Sequence, residues 1–95
     1  MSNQVGPRIP VPVTLLWHPE CPTCQDLLVE LEPLRSAPEV RIEVIDITAQ
    51  ATPAFAQPLI VPATYVGKQL WRYGKFPLQA LRRRLRRELH GSSDD

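Results

Sequence analysis

Cysteine is scarce in this chain: only two occur in 95 residues, and both lie in one Cys21-Pro22-Thr23-Cys24 unit. That excludes a disulfide scaffold, which needs several cysteines spread along the chain. It also argues against a structural zinc site, which takes about four ligands. The other soft ligands, His18 and His90, are far apart and not at finger spacing, so no metal site is expected. Long apolar runs are missing as well, and none approaches the ~20 residues that span a bilayer. Met1 to Pro12 has no basic stretch followed by an apolar segment and a small-residue cleavage site, so no secretory signal is expected. The expectations are a cytoplasmic location and no membrane partner.

Excess charge of one sign is also missing, since the net charge is +1. Its distribution is uneven. Acidic residues dominate from Glu20 to Asp46, and every charge from Lys68 to Arg87 is positive. No aromatic residue interleaves with the arginines at 82–87, which weakens a base-stacking site. The basic run is read as a solvated helix face, with no nucleic-acid partner. Apolar residues make up 43% of the chain, enough for an ordinary globular domain. One domain is expected over 13–90, after a loose arm at 1–12 and before a frayed tail at 91–95, and a monomer is expected.

Within that domain Val13-Thr14-Leu15-Leu16-Trp17 reads as a short buried strand. Cys24, Leu27, Leu28 and Leu31 recur at i, i+3, i+4 and i+7, one apolar face of a helix. Pro22 suits its first position, and Pro33 ends or bends it. Val40 to Ile47 alternates branched and charged residues and reads as a second strand, completing a βαβ unit. Thr48 to Pro58 is ambiguous; Thr52 with Pro53 suits the start of a short helix. Ala63–Val66 and Leu70–Tyr73 flank a tight turn at Gly67-Lys68 or Lys68-Gln69 and read as a hairpin. Pro77 opens a last helix with Leu78, Leu81, Leu85 and Leu89 on one face, and Gly91 stops it.

The cysteine pair carries the chemistry. A thiolate is the nucleophile in disulfide exchange. Cys21 falls at the start of a helix, where unpaired N–H groups and the positive end of the dipole stabilise an anion. Its pKa is expected below the free value of ~8.5. Cys24 lies one turn in on the apolar face, where burial disfavours its thiolate. The pair divides into an exposed attacker, Cys21, and a shielded resolver, Cys24. Thr23 offers a hydroxyl to the Cys21 sulfur, whereas Glu20 opposes its thiolate.

A strand, a Cys-x-x-Cys helix, a second strand and then Val61-Pro62 ahead of a hairpin resembles the thioredoxin superfamily. It is most similar to short glutaredoxin-like proteins, over roughly Val13 to Leu89. The resemblance implies a thioredoxin-like α/β fold with a four-stranded mixed sheet in order 2-1-3-4 and helices on both faces. It implies a cis Val61–Pro62 bond facing the dithiol, with the Val61 backbone free to pair with an extended substrate. Gly74 matches a glycine of the turn that holds glutathione in glutaredoxins. No acidic residue follows it as an anchor, although Lys75 or Arg72 offers a charge for a carboxylate. The implied activity is thiol–disulfide exchange with protein or small-molecule disulfides, regenerated by a cellular reductant. No resident cofactor is expected, and glutathione is the candidate co-substrate. Two other readings are an iron–sulfur carrier that shares a cluster between two chains, and an interaction domain without turnover. Trp17 reads as core or pocket wall and His18 as a solvent-facing loop residue. Asp26 reads as a surface residue, and Tyr65 and Trp71 as packing residues.

Overall fold

The computed structural model describes residues 10–56 and 60–89. The arm at 1–9, residues 57–59 of the ambiguous window and the tail after Leu89, with Gly91, lie outside the described residues. In chain order the elements are strand β1 (Val11–Trp17), helix α1 (Pro22–Glu30), a 3-10 turn (Glu32–Leu34), strand β2 (Val40–Asp46), strands β3 (Ala63–Val66) and β4 (Gln69–Tyr73), and helix α2 (Leu78–Leu89). The sheet order is β2-β1-β3-β4. β1 is parallel to β2 and antiparallel to β3, and β3 is antiparallel to β4. This is the expected mixed sheet.

β1 begins two residues before the apolar run, at Val11, and takes in Pro12. A proline interrupts a ladder because it has no N–H. β3 pairs with β1 only from Val13 onward, so no ladder bond is lost at Pro12. The Pro12 carbonyl accepts instead from the Gly67 N–H at 2.8 Å. Gly67 has φ +64°, which an L side chain rarely adopts, and so Gly67-Lys68 is the hairpin turn. Across the hairpin Tyr65 pairs with Leu70 while Thr64 pairs with Arg72, a bulge that leaves Trp71 without a partner. Trp71 is half-buried and meets Phe76 edge-on, with ring centroids 4.8 Å apart.

The alternation along β1 decides what each face buries. Val13 and Leu15 face a cluster with Leu27 and Leu31, Val40, Val66, and Leu81 and Leu85 of α2. Each such side chain contributes about 1.5–3 kcal/mol by leaving water. Both helices therefore pack on one face of the sheet. The other face holds Leu16, Ile45, Ala63 and Tyr65, covered by Ile47, Phe55 and Ala56. The structure differs here from the expectation of helices on both faces. Among the described residues the second face is covered by turns, and the Thr52–Pro53 start makes a single turn closed by Ala56 N–H to the Pro53 carbonyl at 2.9 Å. Pro53 and Pro58 lie too close together to leave a run of donors for a helix.

α1 stops at Glu30, earlier than the run to Glu32 suggests. Pro33 lacks the N–H that would bond back to Val29, so the chain tightens into the 3-10 turn and places Leu34 in the core. α2 starts after Pro77, and its first-turn Leu78 N–H is capped from afar by the Glu30 carboxylate at 2.9 Å. No helix among the described residues is long and apolar enough to cross a membrane.

Candidate redox site

One end of the sheet gathers every residue singled out for chemistry. β1 ends at Trp17 and leads through His18-Pro19-Glu20 to Cys21. Leu16 pairs with Ala63, so Pro62 sits at the level of Trp17. Ala63 pairs with Tyr73, which brings Gly74 to the same end. Cys21, Cys24, Val61, Pro62 and Gly74 thus share one edge, from three separate segments.

Cys21 is the N-cap of α1, with φ −107° and ψ 105°, and Pro22 follows at the first turn. Its Sγ accepts the Cys24 N–H at 3.1 Å. Ser, Thr, Asn and Asp usually supply this bond with oxygen; here a sulfur does so. The sulfur therefore already faces one of the free donors of the helix start, the arrangement a thiolate needs. No acidic side chain lies in the first turn to oppose it. Among the described residues the Thr23 hydroxyl makes no bond to this sulfur, and Thr23 is exposed. Cys21 is half-exposed and Cys24 is fully buried. The two form a disulfide, with Cα atoms 5.2 Å apart.

Two side chains tie the loop before Cys21: His18, half-buried rather than solvent-facing as expected, and Gln25, which the residue pattern did not single out. The Glu20 N–H donates to His18 Nδ1 at 3.0 Å, and the Cys21 N–H donates to the His18 carbonyl at 3.1 Å. From α1, Gln25 Nε2 donates to the Pro19 carbonyl at 2.9 Å. Glu20 itself points to solvent.

The Val61–Pro62 peptide bond is cis. Pro62 is fully buried, and its carbonyl accepts the Gly74 N–H at 2.8 Å. Gly74 has φ +81°, a glycine conformation. Lys75 next to it pairs with Asp26 at 3.8 Å, both side chains being more than half exposed. Arg72 lies over the Trp71 ring at 4.7 Å. The two cations that offered a charge to a carboxylate ligand each have a neighbour already, and Asp26 is a surface residue with a partner. Tyr65 is buried against Phe55, with ring centroids 5.6 Å apart, so it packs rather than lines a groove.

At the end of β2, Asp46 lies beside Trp17 in register. The Thr48 hydroxyl and N–H both donate to Asp46 Oδ1, at 2.6 and 2.9 Å. These bonds hold its carboxyl below the usual carboxylate range, and the nearby His18 adds to the effect. Among the described residues no three His, Cys, Asp or Glu side chains gather closely enough to hold a metal ion.

No curated protein matches the sequence. Residues 12–77 match the family described as Glutaredoxin-like domain (DUF836), which takes in β1 from Pro12 on, the Cys-x-x-Cys turn, α1, β2, the Val61-Pro62 segment, the hairpin and Gly74. That match covers more than half of the chain, and with a Cys-x-x-Cys pair at the start of α1 it fits a thioredoxin-type redox role. The chain therefore belongs to the Glutaredoxin-like domain (DUF836) family, within the thioredoxin superfamily.

Proposed function

We propose that the protein is a dithiol–disulfide oxidoreductase in which Cys21 attacks and Cys24 resolves. The observation that supports this most is the Cys24 N–H aimed at Cys21 Sγ at 3.1 Å, with Cys21 half-exposed and Cys24 buried one turn below. In the reduced protein that donor and the helix start stabilise a Cys21 thiolate. The thiolate attacks one sulfur of a substrate disulfide. A Cys21–substrate bond forms, the substrate S–S bond breaks, and one substrate thiolate leaves. Cys24 then gives up its proton and attacks Cys21 Sγ, which releases the second substrate thiolate and leaves the Cys21–Cys24 disulfide. Two electrons pass from the dithiol to the substrate, and a reductant thiol reverses the sequence on the protein.

The Val61 backbone, the Pro62 ring and the Gly74 turn form the proposed rest for an extended substrate beside the dithiol. The substrates are disulfides of proteins or small molecules, and glutathione is one candidate reductant. The proposed setting is the cytoplasm, where thiol reductants regenerate such pairs. Replacement of each cysteine by serine tests the reading. Cys21→Ser is expected to abolish reduction of a disulfide substrate, whereas Cys24→Ser accumulates a mixed disulfide visible by mass spectrometry. Faster labelling of Cys24 than Cys21 by iodoacetamide at neutral pH would reverse the assignment.

A further inference from the structure

The geometry points to His18 as a positioning residue for the attacking cysteine, acting through its unprotonated Nδ1; this rests on the exchange reading above. Three residues join β1 to Cys21. Pro19 has no N–H, the Cys21 N–H turns back to the His18 carbonyl at 3.1 Å, and the Glu20 N–H is taken by His18 Nδ1 at 3.0 Å. The imidazole thus supplies the acceptor that the backbone of this turn does not. A side chain that accepts from the N–H two residues on makes the turn that Asn and Asp commonly make. The turn fixes how the chain enters Cys21. The dihedral angles at Cys21, in turn, set its Sγ over the Cys24 N–H. His18 is half-buried, its Nδ1 bonds the Glu20 N–H and no hydrogen bond joins it to the sulfur, so its effect passes through the backbone.

A nitrogen can accept only while it is unprotonated. The bond to Glu20 N–H therefore places the proton of the neutral ring on Nε2. On protonation Nδ1 becomes a second donor facing a donor, and the turn is released. The charged groups around this step are Asp46 at the end of β2, whose carboxyl feels the imidazole, the solvent-facing Glu20 carboxylate on the same loop and, in the reduced protein, the Cys21 thiolate. Imidazole protonation thereby couples to the presentation of Cys21.

Two substitutions separate the roles of the ring nitrogens. In His18→Asn the amide oxygen sits on Cγ where Nδ1 sat, so the turn is kept. In His18→Gln the oxygen reaches the place of Nε2, so polarity is kept and the turn is lost. Reduced proteins are mixed with a small aromatic disulfide at neutral pH, and the Cys21 thiolate is titrated by its ultraviolet absorbance. H18Q is expected to react about 2- to 10-fold more slowly, the effect of losing one net hydrogen bond, with a raised Cys21 pKa. H18N is expected to stay within about twofold of wild type on the same scale. The Glu20 amide resonance is expected to move with imidazole protonation in wild type and to stay still in H18N. Folding of each variant is read from its urea midpoint, and if H18Q does not fold, H18N and the Glu20 resonance still decide. Equal reactivity of H18Q and wild type overturns the inference, as does an H18N that reacts as slowly as H18Q or a Glu20 resonance insensitive to His18. Failure of the exchange reading looks different: wild-type Cys21 then reacts no faster than free cysteine, which overturns both.

Discussion

Glu30 is the residue whose loss tests the helix layer above the sheet most directly. Its carboxylate accepts the Leu78 N–H at 2.9 Å across 48 positions of chain and so ties the end of α1 to the start of α2. Pro77 ahead of α2 brings no N–H to the helix start, and among the described residues this bond is the side-chain cap of the first turn. A lost N-terminal cap costs about 0.5–2 kcal/mol. A negative charge beside a helix start adds about 0.3–1 kcal/mol when exposed. The bond is solvent-exposed, so the lower half applies, and Glu30→Ala is expected to cost about 1 kcal/mol. For a domain of this size that is about 4–8 °C in Tm. Glu30→Gln keeps an acceptor and loses the charge, so it is expected to cost less than half as much. Glu32→Ala is the control, since its 3.8 Å contact with Arg35 is a surface pair of the kind that contributes little. Urea unfolding of the three variants, with the exchange rate of the Leu78 amide, measures the effect. A Glu30→Ala variant as stable as Glu32→Ala, with Leu78 equally protected, would show that the cap contributes nothing.

Two further outcomes are expected. Asp46 has a carboxyl pKa depressed by its bonds from Thr48, so the contribution is in place above the unfolded-state pKa. It fades as pH falls through the folded-state pKa; Asp46→Asn should therefore lower stability at neutral pH and leave it nearly unchanged in strong acid, as read by urea midpoints at the two pH values. The reduction potential is expected near the glutaredoxin range of about −200 to −230 mV rather than ~−270 mV, because the Cys24 N–H and the helix start favour the reduced thiolate; equilibration in glutathione buffers measures it, and a value at or below −270 mV in that assay refutes the role given to the helix start.

Much of the fold was legible in the residues because it is locally encoded. The apolar repeat Cys24, Leu27, Leu31 marks α1, the alternation in Val40–Asp46 marks β2, and Gly67 marks the hairpin turn with the positive φ it needs. The placement of the two cysteines, Cys21 at the helix start and Cys24 buried, was legible for the same reason: a helix start and its first buried turn lie only three residues apart. The 3-10 turn at Pro33 and the entry of Pro12 into β1 were less so, because each depends on what the neighbouring chain offers as donor or acceptor.

Composition and order alone settled that this chain carries one Cys-x-x-Cys at a strand-to-helix junction, since both the motif and the periodicities lie within short stretches of sequence. Tertiary structure decided the rest. It placed α1 and α2 on one face of the sheet, and among the described residues it left turns to cover the other, where Ile47, Phe55 and Ala56 reach Leu16 and Tyr65. It joined Glu30 to Leu78 and Asp26 to Lys75, pairs far apart in sequence whose attraction operates only once the chain has brought them within a few ångströms. It also set His18 Nδ1 against the Glu20 N–H. That contact is short in sequence, yet it exists only because the end of β1 and the start of α1 hold the turn between them at one conformation.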